Sequence, residues 1–217
     1  MATTTFNVTN QLAYATSQNV LVFTVPTLAN PNYTFAAWQN LNISPNGGSQ
    51  SFDFDINLAV IAVDQNTGSR SPMTNIKANQ VLLAQYSNLS GIGLTPATSG
   101  DDKSRITADQ SAVINATNRS GGKAILLATE WYINGKAAVR VNNMNADAIA
   151  TFELQPSLYF FAAVPTQSGF NYTYQLVSKQ TKYVIPNPDA TPSVAVTWSR
   201  GGDMAGADRF DFAPPSA

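Results

Sequence analysis

A chain of 217 residues with 12 Lys and Arg against 13 Asp and Glu, and with neither Cys nor His, excludes several chemistries at once. Without Cys there is no disulfide framework and no thiolate metal site; without His there is no imidazole base, no imidazole ligand and no Ser-His or Cys-His nucleophile. Charge this sparse carries no basic footprint for nucleic acid, and no apolar run reaches the ~20 residues that span a bilayer, so neither nucleic-acid binding nor membrane insertion is expected.

The surface must therefore be built from Asn, Thr, Ser, Gln and Gly, which hydrogen-bond without charge. The N-terminus (MATTTFNVTNQLAYATSQ) lacks a basic start followed by an apolar run. The expected location is cytoplasmic, or outside the cell by release without a classical signal peptide. Asn7, Asn32, Asn42, Asn88, Asn115, Asn118 and Asn171 each open an Asn-x-Ser/Thr triplet, and turn preference in a chain rich in these residues accounts for them.

Residues 3–9 (TTTFNVT), 19–25 (NVLVFTV, stopped by Pro26) and 33–38 read as the first three strands. Ser44, Pro45, Asn46, Gly47 and Gly48 then form a turn, because Asn and Gly accept positive φ and Pro presets φ. From Phe52 onward the side chains alternate. Phe52, Phe54, Ile56, Leu58 and Val60 oppose Asp53, Asp55 and Asn57, and the second face turns apolar at Ala59, Ile61 and Val63. This predicts one long strand that is wet on one face at first and buried on both faces later.

Residues 64–69 (DQNTGS) are a turn, and residues 73–86 are open to helix or strand locally, with the context favouring strand. Residues 91–123 read as one long polar loop. Within it Thr107 and Gln110 have the spacing of a capping box, which predicts a short helix over 108–116. Beyond it, 124–133 and 136–142 flank Asn134-Gly135, the pair best suited to a type I′ hairpin turn. Strands are further predicted at 148–154, 157–164, 171–178, 181–185, 193–198 and 209–212.

The expected class is all-β: a two-sheet antiparallel sandwich or jelly roll with one long polar loop and the short helix just noted. A single domain over 1–217 is expected, with no repeat of fixed period and a frayed tail at 213–217.

Several constellations are candidates for chemistry. Asp53 and Asp55 are spaced about 7 Å apart along a strand, within the range of paired glycosidase carboxylates, although two acids at i and i+2 are more often a solvated face. Asp101, Asp102 and Asp109 are the weak candidates for oxygen ligation of a cation, with Lys103 and Arg105 between them and no established calcium-loop spacing. No cofactor is expected. Trp131, Tyr132, Asn134, Tyr172 and Tyr174 are the candidates for a ligand platform: the rings stack on a sugar and the amide binds its hydroxyls, with Tyr172 and Tyr174 sharing a strand face. Aromatics also fill sandwich cores and protein interfaces, and that use is the commoner one. Glu130 lies inside a strand, with Lys136 or Arg140 as its partner across the hairpin.

The first 65 residues resemble the rhizosphere-induced RhiA-type proteins of rhizobia. The similarity is carried by NVTN, LVFTVP, the Ala36-Ala37-Trp38 triplet, and ISPNGG leading into SFDFDINLAVI. The resemblance implies a soluble, abundant bacterial protein of unassigned biochemistry without a classical leader, and carries over no functional residues.

Function by self-association, as a homo-oligomer, or by partner binding without catalysis is the leading expectation. A lectin-like carbohydrate-binding module is the alternative, and a glycoside hydrolase using Asp carboxylates stands third.

Overall fold

Alternation of apolar with polar residues makes β1 (Thr4–Asn10), which buries Phe6 and Val8 and exposes Asn7. β2 (Asn19–Val25) is apolar on both faces, and everything after Asn19 is buried, so it lies between two packed layers. The computed structural model describes residues 3–16, 18–27, 29–55, 57–77, 80–87, 91–96, 110–114, 126–145, 148–152, 157–164, 169–185, 193–200 and 207–213.

Four sheets hold the described strands. Sheet A runs β18 (Asp208–Ala213), β17 (Ser193–Arg200), β1, β5 (Gly48–Phe54). Sheet B runs β16 (Thr181–Tyr183), β14 (Ser157–Ala163), β2, β4 (Gln39–Leu41). Sheet C runs β15 (Tyr172–Thr173), β3 (Tyr33–Phe35), β12 (Lys136–Met144), β11 (Leu127–Ile133), β6 (Leu58–Asp64), β7 (Thr74–Ile76). Sheet D runs β13 (Ile149–Phe152), β10 (Gln110–Ile114), β8 (Val81–Ser87), β9 (Gly91–Pro96). Neighbours are antiparallel except β1 with β17 and β8 with β10, which are parallel.

Sheet A packs on sheet B through aromatic rings. Phe160 of β14 meets Phe6 at 6.2 Å, Phe52 at 6.4 Å, Phe210 at 5.8 Å and Phe212 at 5.1 Å. Sheet C packs on sheet D through Trp131 and Phe152, stacked at 5.7 Å. The strands of the C–D sandwich are contiguous in the chain, β6 to β13, and stand between β5 and β14 of the A–B sandwich. β3 and β15, from the outer segments, extend sheet C beyond β12, and the Trp38 indole donates to the Ile133 carbonyl at 3.1 Å. One hydrophobic core consequently runs through all four sheets.

The pairing scheme occurs twice. In the A–B sandwich β2 pairs with β14 and β4, β14 with β16, β1 with β5 and in parallel with β17, and β17 with β18. In the C–D sandwich β11 pairs with β6 and β12, β6 with β7, β10 with β13 and in parallel with β8, and β8 with β9. Each contact of the first set thus has a counterpart of the same sense in the second, with the two four-strand halves in opposite chain order: β1, β2, β4 and β5 correspond to β10, β11, β12 and β13, and β14, β16, β17 and β18 to β6, β7, β8 and β9.

The all-β sandwich stands as the sequence predicts, and several local expectations change. The long strand from Phe52 is two strands, β5 in sheet A and β6 in sheet C, because the chain crosses from one sandwich to the other between Phe54 and Leu58. Residues 110–114, expected within a helix, are β10, since backbone pairing with β8 and β13 outweighs a local capping signal. Parts of the 91–123 loop are therefore sheet D, while Thr107 lies outside the described residues. The predicted strand 171–178 turns after Thr173 into the one-turn helix α1 (Tyr174–Val177), because the Thr173 hydroxyl accepts from the Leu176 amide at 3.4 Å as its N-cap. The turns hold as expected: Asn46 and Gly47 have φ of 58° and 89°, and Asn134 and Gly135 have 51° and 74°.

Phe160 is 1% exposed at the centre of the A–B interface. Phe160→Ala is expected to lower stability by about 3–5 kcal/mol. A loss of unfolding free energy in guanidinium far below that would show that sheets A and B do not depend on this ring.

Candidate functional site

The hairpin β11–β12 carries most of the residues singled out by the sequence, and the pleat separates them. Trp131 is 1% exposed on the face toward sheet D, with its indole N–H donated to the Thr129 hydroxyl at 3.1 Å. Tyr132 points to the opposite face and is half-buried. Asn134 is exposed at the turn, and its amide donates to the carbonyl and carboxylate of Asp55.

Tyr172 is buried against Phe23, with ring centroids 4.8 Å apart. Tyr174, on α1, is half-buried. A shared platform of the five residues is not formed. Trp131 and Tyr172 are core, and Tyr172 and Tyr174 do not share a strand face because the chain turns helical between them. Asp101, Asp102 and Asp109 lie outside the described residues. Among the described residues no three metal-ligating side chains come together.

A cluster does form on the outer face of sheet C. Glu130 sits between Trp131 and Thr129 in sequence but on the same side as Tyr132, and it is 2% exposed. Register places it opposite Arg140, whose Nη1 donates to Oε1 at 2.9 Å. The second guanidinium comes from Arg70, which bridges back to Val63 after the turn at Gly68. Arg70 pairs with both carboxylate oxygens of Glu130. The Tyr132 hydroxyl also donates to Oε2, at 3.1 Å. Ile61, Val63 and Ala128 form the apolar floor, with Tyr132 packed against it.

The electrostatics follow from this geometry. A carboxylate taken out of water costs several kcal/mol unless its oxygens are bonded, and here four donors serve them. Burial pushes the Tyr132 phenol above its ordinary value, and the neighbouring Glu130 charge pushes it the same way. The hydrogen bond to Glu130 holds the Arg70 guanidinium further up, against some desolvation. Two guanidiniums against one carboxylate leave a net positive cluster, with Arg70 half exposed.

Arg140 is the partner that hairpin spacing suggests for Glu130, whereas Lys136 instead reaches Gln39 at 2.7 Å. Arg70 was invisible to sequence reasoning. Its contact spans 60 residues and depends on how the 64–71 turn folds back over β6.

The other carboxylates of the described residues are also occupied. Asp53 accepts from the Thr5 hydroxyl at 2.8 Å and Asp55 from Asn134, so the two acids are held by separate partners. Asp64 closes its turn by accepting from the Asn66 amide and the Thr67 hydroxyl, each at 2.8 Å. Asp208 binds Arg200 at 3.0 Å, and Asp211 binds Arg209 at 2.7 Å.

Arg140→Ala should cost about 3 kcal/mol, because it uncovers one side of a buried carboxylate. Adding Glu130→Met should restore most of that loss on the apolar floor. If the double variant is no more stable than the single one in urea unfolding, Glu130 is not the group that Arg140 compensates.

No family model, no curated protein and no solved structure matches the chain.

Proposed function

We propose that the protein works by binding and not by catalysis, associating with further copies of itself or with a partner through its sheet surfaces. The observation that carries this reading is the outer face of sheet A. Thr5, Asn7 and Thr9 on β1 lie beside Asp53, Ser51 and Ser49 on β5, and Ala195 and Thr197 of β17 continue the rows. Apart from Asp53 these are small, neutral side chains, several already bonded among themselves, as in Ser51 to Asn7 at 2.6 Å, and the charges that β18 adds to the same rows, Asp211 beside Thr197 and Arg209 beside Ser199, pair with each other. Low charge leaves little repulsion between copies.

The occupied carboxylates support the same reading, since none of those described is left as a free pair for acid–base work. What the RhiA-type resemblance implies is in keeping with it: a soluble bacterial protein acting in the cytoplasm or after release without a classical leader. Among the described residues no helix is long and apolar enough to cross a membrane.

A second reading, glycan binding, rests on Tyr132. Its ring lies on the outer face of sheet C beside Arg70, with the exposed Asn134 amide two residues on. A ring flanked by hydrogen-bond donors is the usual make-up of a sugar subsite.

Sedimentation velocity from about 1 µM to about 1 mM should show mass rising with concentration, the range in which modest interfaces operate. A strictly monomeric protein across that range sinks self-association. On a glycan array, binding that Tyr132→Ala abolishes would favour the second reading, and a blank array would remove it.

A further inference from the structure

We infer that the free edge of β5 is the self-association surface, pairing antiparallel with β5 of a second copy to join two A sheets into one of eight strands. This rests on the self-association reading and names where it occurs.

The edges of the four sheets are not alike. A strand edge offers unpaired N–H and C=O groups to any other strand, and proteins blunt it by shortness, Pro or charge. β4, β7 and β16 have three residues each, β15 has two and β13 four. β9 ends on Pro96, and β18 carries the exposed Arg209–Asp211 ion pair. β5 has seven residues, no Pro and no Lys or Arg. It is the terminal strand of sheet A, and beyond its ladder with β1 no backbone hydrogen bond is formed by Gly48–Phe54 among the described residues. Ser49, Gln50, Ser51 and Asp53 are all exposed, and none of the described residues pairs with this edge.

The sequence of β5 is complementary to itself about Ser51. A two-fold axis through Ser51 pairs all seven residues: Ser51 with Ser51, Gln50 with Phe52, Ser49 with Asp53, and Gly48 with Phe54. The one charge of the strand then faces a serine hydroxyl and not its own copy, so no like charges oppose each other. The aromatic residues Phe52 and Phe54 already point into the A–B interior, where Trp38 meets both edge-on at 5.6 and 5.4 Å. Pairing sets Gln50, which opposes Val8 and so shares the inner face, beside Phe52 of the copy, and keeps Ser49, Ser51 and Asp53 on the outer face. A two-fold contact of this kind is isologous and closes at a dimer.

The test uses position 51, which the axis places opposite itself. Ser51→Lys and Ser51→Glu each put two like charges together and should each raise the dimer dissociation constant by about tenfold or more, whereas their equimolar mixture should recover wild-type affinity or better. Sedimentation velocity reads the assembly, and far-UV circular dichroism confirms that each variant folds. A monomeric wild type overturns both this inference and the self-association reading. A wild type that associates while both variants associate equally well overturns the β5 edge and leaves self-association through another surface. Weakened single variants whose mixture gains nothing overturn the two-fold axis at Ser51.

Discussion

The molecule depends on the parallel contact between β1 and β17, in which Thr5 to Asn10 run beside Ser193 to Trp198. Without it sheet A separates into two ribbons, β1–β5 and β17–β18, and neither alone covers the apolar face of sheet B. The contact joins the two ends of the chain, with the whole C–D sandwich lying between them in sequence. Phe6 shows why the arrangement is stable once made. It sits on β1, stacks on Phe52 of β5 at 5.1 Å and reaches Tyr183 of β16 at 5.7 Å, so one ring ties three strands from distant segments. The cost is entropic, because a long loop must close before any of these contacts is gained.

Local chemistry was legible in the sequence and long-range pairing was not. Asn46-Gly47 and Asn134-Gly135 adopt the positive φ that their residue types predict, since that preference belongs to the residues themselves. The capping pattern at Thr107 and Gln110 is equally local, yet residues 110–114 become a strand because β8 and β13 bond their backbone from both sides. The break at residues 55–57 shows the same limit. Period-two alternation runs through it undisturbed and cannot reveal that the chain changes sandwich there.

The repeated pairing scheme leaves no repeat in the sequence, for a related reason. Equivalent inward positions share pairing and not residue type: Val22 opposes Phe160 in one sandwich where Trp131 opposes Val60 in the other. A core is satisfied by total volume, so large and small can trade places across a strand pair while the register stays fixed. The candidate site divides in the same way. Alternation separates Trp131 from Tyr132, but which face is wet depends on sheet D, whose strands β8 to β10 carry locally ambiguous or loop-like sequence. Glu130 with Arg140 was within reach because a tight hairpin sets that register, whereas Arg70 arrives from another connection.

The order of strands has a consequence for synthesis on the ribosome. β1, β2, β4 and β5 emerge first, and the strands that complete their sandwich, β14, β16, β17 and β18, emerge last. The C–D sandwich, by contrast, has all eight of its own strands once residue 152 has been made. The inner sandwich can therefore mature while the chain is still growing, and β1, β2, β4 and β5, including the largely apolar β2, must wait beside it. That interval leaves the pair β1 with β5 and the pair β2 with β4 as incomplete sheets with uncovered apolar faces, and it sets the period during which this protein most needs a chaperone.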